Sequence, residues 1–329
     1  MKNQIFTNPQ NQKDSIQIQE CSLDKTISDY DSRKNRIPNT DNYYVDLGIQ
    51  FRLAKVMNSK INSFQNELPV HIALKGHMGT GKDHDIEQFA AKLKYPYYRI
   101  PLSGEVRDVT LLGSVQLYGD GKGGTESRWQ DGELTRALRG PAIVNLSELN
   151  AAGPEVLFAL HSLLDRHRKL ELPNGELLTL RNDTHIFGTM NPTSLRDYAG
   201  TQSLNKAFAD RWVIWDKPFP DKDQLQSIFK KRYPNLQKEF TDLIIKLAIE
   251  INNSFMSDDI SINVETPMSL RTIIERIPIG LDVYSESPDP LKDTWEHFVL
   301  PHVNKEDLDH YKTLWNTIVR KGPQIKPKL

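Results

Sequence analysis

One cysteine, Cys21, stands in 329 residues, so the chain has no internal disulfide and a small scaffold stapled by bridges is excluded. No uninterrupted apolar run approaches the roughly 20 residues that a membrane helix needs, and mean hydropathy is -0.55. The opening MKNQIFTNPQNQKDS lacks the apolar stretch of a secretory signal. Together these absences predict a cytoplasmic protein that does not enter a membrane. Excess charge is missing as well: Lys plus Arg total 42 against 43 Asp plus Glu, a formal net charge of -1. No long-range field then draws the chain to nucleic acid or anionic lipid. Metal-ligand spacing is absent too. His161 and His167 are six apart, and His77 and His84 flank a glycine-rich loop without cysteines, neither of which fits a zinc site. Cys21 lies in a polar stretch with no basic cluster beside it, which predicts an ordinary thiol.

Three regions follow from the patterning. Residues 1–40 are rich in Asn, Gln, Ser, Asp and Lys, with scattered apolar positions too few to offset the entropy of ordering, so a disordered polar tail is expected. From Asp41 the pattern becomes apolar, with Tyr43, Tyr44, Val45, Leu47, Phe51, Leu53, Ala54 and Met57 in a largely helical segment interrupted by Gly48. Residues 41–220 then alternate β-rich runs, 70–75, 95–100, 141–146, 185–190 and 211–216, with helical patterns. That alternation predicts an α/β fold, a parallel sheet covered by helices. After Pro218-Phe219-Pro220 the strand signals end, and 221–329 reads as a smaller α-helical unit. Its faces are Phe240, Leu243, Ile244, Leu247, Ala248 and Ile251, then Leu308, Tyr311, Leu314, Trp315, Ile318 and Val319. Between them Thr266-Pro267 predicts an N-cap and first helical position, with Leu270, Ile273, Ile274 and Ile277 inward.

The strongest chemical signal is Gly76-His77-Met78-Gly79-Thr80-Gly81-Lys82, placed between a strand and a helix whose inner face is Ile86, Phe89, Ala90 and Leu93. Glycines let successive N–H groups turn toward phosphate oxygens, the helix N-terminus adds partial positive charge, and Lys82 reaches the β- and γ-phosphates. These seven residues are therefore the expected nucleotide cradle. Where Ser or Thr normally offers a hydroxyl to Mg²⁺, the chain has Asp83. The helix dipole tolerates an acid there, but without a nearby cation it would repel the phosphates.

The run Ala142 to Glu148 has the form of a buried strand ending in a catalytic pair. Such a pair is normally Asp-Glu, the Asp in the Mg²⁺ shell and the Glu polarising water. Here Glu148 is kept and Ser147 replaces the Asp. The two departures are reciprocal, which suggests an exchange in which Asp83 supplies the carboxylate and Ser147 the hydroxyl of one metal shell. The competing reading is nucleotide binding with hydrolysis lost.

From about Leu68 to Pro220 the chain resembles AAA+ ATPases of the MoxR group, nearest the CbbQ/NirQ/NorQ branch, with GvpN and CobS as relatives and a dynein-related AAA domain. Besides the loop, the resemblance is carried by Arg107 to Gly113, Arg128 to Ala137, Ser147 to Asn150, Gly188 to Pro192 and Ala207 to Trp212. It implies ATP with Mg²⁺ as cofactors and a homo-oligomeric ring, a hexamer. Partners implied are a client protein and a von Willebrand A-domain protein; hydropathy and charge predict no membrane and disfavour nucleic acid. It further implies that Asn191 holds the attacking water or a phosphate oxygen, that Arg211 is a finger for the neighbouring subunit, and that Arg271 senses the nucleotide from the helical lid.

Read from the residues alone, Asn191 is equally a turn residue before Pro192, Arg211 an ion-pair partner of Asp210 or Asp216, and Arg271 a surface partner of Glu275. Two inserts, Gly119 to Gly124 and Leu170 to Leu180 around Asn174-Gly175, are expected as a flexible loop and a hairpin. The family's inserts of this kind face the pore or the client. The implied function is ATP-driven remodelling or activation of a client. The alternatives are a nucleotide-binding regulatory subunit with little turnover, and an McrB-like nucleic-acid-linked NTPase, which the near-neutral charge disfavours.

Overall fold

A computed structural model describes residues 2–59, 70–119, 121, 123–193, 203–257, 259, 264–319, 323 and 326–329. Residues 2–40, expected as a disordered tail, are ordered. Strands β1 (Asn3–Asn8) and β2 (Asn11–Gln19) pair antiparallel, and α1 (Tyr30–Asn35) follows. The physical reason is a few deep anchors rather than an apolar stripe. Phe6 is 1% exposed and packs on Phe89 at 5.2 Å between ring centroids, with the Lys92 ammonium 4.1 Å over its ring. Arg33 of α1 is fully buried, its guanidinium donating to the carbonyls of Arg136 and Ala137 and pairing with Asp29. A two-stranded ladder is marginal alone, and these few anchors are enough to order it, so a low apolar count did not mean disorder.

The segment after Asp41 becomes helical at α2 (Ile49–Met57), and Gly48 begins it in the left-handed region at φ 99°. Strands β3 (His71–Lys75), β4 (Tyr97–Pro101), β7 (Ala142–Ser147), β10 (Thr184–Met190) and β11 (Trp212–Asp216) form one parallel sheet in the order β11-β3-β10-β7-β4. These are the five strands expected. Helix α3 (Lys82–Leu93) connects β3 to β4, with Ile86, Phe89, Ala90 and Leu93 buried against the sheet as its periodicity predicts.

Beyond β4 come α4 (Asp108–Leu112), an antiparallel hairpin of β5 (Gly113–Gly119) and β6 (Thr125–Asp131), and α5 (Glu133–Leu138). The expected loop Gly119 to Gly124 thus joins two strands; its Asp120 and Lys122 lie outside the described residues. Helix α6 (Pro154–Leu164) leads into a second hairpin, β8 (Lys169–Glu171) and β9 (Leu177–Thr179), which turns at Asn174-Gly175 as expected. Helix α7 (Lys206–Ala209) precedes β11.

Because strand side chains alternate, the two faces of the sheet carry separate cores. Ile72, Leu74, Ile143 and Phe187 pack toward α3. Ala73, Tyr98, Ile100, Val144, Leu146 and Ile186 pack on the opposite side, with α5 and α6.

From Asp221 onward every element among the described residues is helical: α8 (Lys222–Arg232), α9 (Lys238–Phe255), α10 (Ile277–Val283), α11 (Pro290–Thr294) and α12 (Leu308–Ile318), with π-helical turns at Thr272–Arg276 and Trp295–Val299. One apolar cluster runs through them from Leu225 to Val319. The helix expected to open at Thr266-Pro267 opens instead at Leu270, and Ser269 caps it by accepting from the Thr272 N–H at 3.2 Å. The Asp307 carboxylate binds the N–H groups of Glu265 and Thr266 at 3.1 and 2.7 Å, which holds that stretch extended. Ile273 and Ile277 point inward as expected.

Candidate functional site

The carboxyl ends of β3, β10, β7 and β4 converge on the N-terminus of α3, the place where open α/β sheets bind ligands. Gly76 leaves β3 so close to the next strand's end that a Cβ would meet the Lys217 carbonyl oxygen at 2.2 Å. Gly79 has φ 77°, and a Cβ there would meet Ser269 at 2.3 Å, so the loop is wedged against the helical region. The Gly79 carbonyl also accepts from the Leu270 N–H at 2.9 Å. Thr80 closes the turn through its hydroxyl on the His77 carbonyl, 2.9 Å. The His77 ring lies against Phe219 and Phe255, at 5.7 and 4.8 Å between centroids, while Met78 is exposed at the rim. Gly81 takes φ 86° and starts α3.

Lys82 turns back into this loop, donating to the carbonyls of Gly76 and His77 at 2.7 and 2.9 Å and to Asn191 Oδ1 at 3.2 Å. Burial pulls its pKa down to about 8, against the opposing pull of Asp83 and Glu148. Asn191 at the end of β10 is itself set by Asn150, whose amide donates to the Asn191 carbonyl at 2.9 Å. Glu148 ends β7 in a left-handed conformation, φ 62° and ψ 47°, and its side chain is exposed. A non-glycine residue held there is strained, and such strain concentrates at functional positions. A cleft of about 830 Å³ is lined by Lys82, Asp83, Arg99, Ser147, Glu148 and Asn191 on the sheet side and by Met268 to Thr272 on the helical side.

Asp83 is the polar centre of this end of the sheet. Its Oδ1 accepts from Asn145 Nδ2 at 2.9 Å and Thr189 Oγ1 at 2.8 Å, and its Oδ2 accepts from Arg99 Nε and Nη2 at 3.0 and 2.8 Å. The Ser147 hydroxyl lies 3.2 and 3.1 Å from the two oxygens. Arg99 Nη2 also donates to Ser147 Oγ at 3.1 Å. Burial alone would raise the Asp83 pKa; hydrogen bonds from Asn145 and Thr189 and the Arg99 guanidinium outweigh it, so the group stays ionised and below its ordinary value.

Asp83 and Ser147, expected as reciprocal halves of a metal shell, are therefore brought together. Both carboxylate oxygens, however, already carry protein donors, and one of those donors is a cation. Mg²⁺ demands nearly octahedral oxygen ligation, and this donor set does not provide it as arranged. Among the described residues there is no group of three or more His, Cys, Asp or Glu able to hold a metal ion.

The two arginines end up apart. Arg271 lines the cleft from the helical side, is exposed and forms no ion pair among the described residues. Arg211 faces α6 instead, donating to the His161 carbonyl at 3.2 Å and to the Ala207 carbonyl, with Asp165 at 3.9 Å. It does not reach this chain's own cleft, and its partners are neither Asp210 nor Asp216.

Several working residues escaped the motif reading: Arg99, Asn145, Thr189 and Lys217. The first three were legible from period-two alternation. Once Ser147 is placed on the α3 side, Asn145 shares its face, Arg99 pairs with Asn145 across the sheet, and Thr189 follows Phe187 on the same side. Lys217 forms a buried pair with Asp85 of α3 at 2.6 Å, both side chains about 5% exposed or less, and locks the end of β11 to the phosphate loop. Cys21 behaves as expected of an ordinary thiol: burial pushes its pKa up to about 12, away from the thiolate.

Residues 71–212 match the family model described as the AAA domain, dynein-related subfamily. Relatives include an uncharacterised protein of Staphylococcus epidermidis, 26% identical over 237 residues, covering 70% of this chain and 88% of that protein. Another, from Staphylococcus haemolyticus, is 27% identical over 206 residues, covering 62% and 76% respectively. A solved chain from Cytophaga hutchinsonii, provisionally described as an ATPase, is 18% identical with a TM-score of 0.39, covering 82% of this chain and 89% of its own. Among the described residues no helix is long and apolar enough to cross a membrane. With a five-stranded parallel sheet, a phosphate loop at its centre and a helical region after it, the chain has the AAA+ P-loop NTPase fold, and its residues 71–212 are similar to the dynein-related AAA domain.

Proposed function

We propose that the chain binds and hydrolyses ATP and uses the resulting motion of its helical region to remodel or activate a client protein, in the manner of the MoxR group. The observation that carries the reading is the Lys82 ammonium. It is held by the Gly76 and His77 carbonyls and by Asn191 Oδ1, in the same cleft as Glu148 and under the lid residues Ser269 to Thr272. Phosphate oxygens would take over from those carbonyls as partners of Lys82. Loop N–H groups and the start of α3 add further positive potential. Glu148 is the group to orient and polarise water, with Asn191 beside it as the amide that fixes the water or a phosphate oxygen. Arg271 would read the nucleotide from the lid. Arg211, turned away from its own cleft, fits a finger offered to the next subunit of a hexameric ring in the cytoplasm, with a von Willebrand A-domain protein as companion.

A second reading, a nucleotide-binding regulatory subunit with little turnover, is favoured by the Arg99 guanidinium bound to Asp83 and Ser147, where a catalytic ion is normally held. Steady-state phosphate release separates the two. Hydrolysis predicts that Glu148→Gln lowers the rate by about 100-fold while ATP still binds; equal rates in wild type and variant would favour the regulator.

A further inference from the structure

Two positions normally fix the divalent ion of a phosphate-loop NTPase: the residue after the loop lysine and the carboxylate at the end of the neighbouring strand. In this chain they are Asp83 and Ser147, and one side chain bridges them. Arg99 Nη2 lies 2.8 Å from Asp83 Oδ2 and 3.1 Å from Ser147 Oγ, and Nε adds a second bond to the same carboxylate oxygen at 3.0 Å. For an ion to bind at Oδ2, that oxygen would have to give up donors it now accepts from Arg99 Nε, Arg99 Nη2 and the Ser147 hydroxyl. It would also leave a guanidinium beside a divalent cation, a strongly repulsive arrangement in a half-buried cleft.

With the pair intact, the same geometry favours a bare polyanion. Arg99 cancels the charge of Asp83, so the repulsion that an acid at the head of α3 would exert on phosphates is removed. Its side chain is 47% exposed, lines the cleft with Lys82, and its Nη1 edge makes no hydrogen bond among the described residues. Three of the five guanidinium N–H groups are anchored, which fixes the plane and leaves the two of Nη1 to donate to phosphate oxygens.

We propose that the Arg99 guanidinium, anchored on Asp83 and Ser147, takes the place of the divalent cation, so that this site binds nucleoside polyphosphate without Mg²⁺. This rests on the nucleotide reading above and adds the form of ligand the site accepts.

The test is calorimetric titration of the full-length chain with ATP, in Mg²⁺ and in EDTA, for the wild type, Arg99→Gln and Arg99→Lys, each confirmed folded by circular dichroism. The expected result is a wild-type Kd in EDTA within about threefold of that in Mg²⁺. In EDTA, Arg99→Gln should weaken binding by about tenfold or more and Arg99→Lys by less, because it keeps the charge and loses the planar anchoring on Asp83 and Ser147. Wild-type binding that weakens more than about tenfold in EDTA, or an Arg99→Gln affinity equal to wild type in EDTA, overturns the proposal while leaving nucleotide binding intact. Absence of binding in both buffers overturns the nucleotide reading itself and the proposal with it.

Discussion

At Lys82 two opposing effects set how the site responds to pH. Burial favours the neutral amine and brings the pKa down to about 8 in the free chain, whereas a bound phosphate stabilises the ammonium and raises it. Nucleotide binding is then coupled to proton uptake only above the free-state value. Affinity should be flat below about pH 8 and fall by up to tenfold per pH unit above it; isothermal titration at several pH values checks this, and an affinity that rises across that range would show that Lys82 does not meet the phosphates. Asp83 works in the opposite direction. It stays ionised because Asn145, Thr189 and Arg99 bind its charged form, so the Asp83–Arg99 pair remains intact throughout the range in which Lys82 titrates. The strained backbone of Glu148 is consistent with a residue placed for the cleft rather than for the packing of β7.

Elements differ in how openly the chain announces them. The five sheet strands are short β-rich runs bounded by turns, and the three central ones, β3, β7 and β10, are buried on both faces and need no partner information to be recognised. The phosphate loop is equally local, since its glycines, lysine and helix are contiguous. The hairpin β1–β2 is different, because few side chains connect it to the body: Phe6 against Phe89 and Lys92, with Ile16 and Ile18 partly buried beside it. So few anchors leave only a faint periodic pattern. The same holds for Arg33, whose burial depends on carbonyls more than 100 residues away. It holds too for Arg99, which reads as a strand residue until β4 is placed beside β7. Phe6→Ala removes the hairpin's anchor and should cost about 3–5 kcal/mol of local stability. Hydrogen exchange would show β1, β2 and the outer turn of α3 losing protection while β3 and β7 keep theirs; unchanged exchange in the hairpin would mean that its own ladder suffices.

Across the whole molecule the phosphate loop is shared property. Its floor is the sheet, its flank is braced by the buried Lys217–Asp85 pair, and its outer edge is hydrogen-bonded to the helical region through Gly79 and Leu270. Under the proposed function, phosphate at Gly79 would act directly on the helix that opens at Leu270, a short mechanical path from nucleotide state to the helical region. Arg211 lies outside that path, against α6, and under the proposed ring it would meet a phosphate only in a neighbouring subunit. All of this depends on polyphosphate being held between Gly76 and Lys82. The most direct measurement is titration calorimetry of the folded full-length chain with ATP, wild type beside Lys82→Ala. Saturable heat from the wild type and at least about a tenfold loss of affinity in the variant are predicted; a folded wild-type chain that releases no heat with ATP, with or without Mg²⁺, would contradict the account.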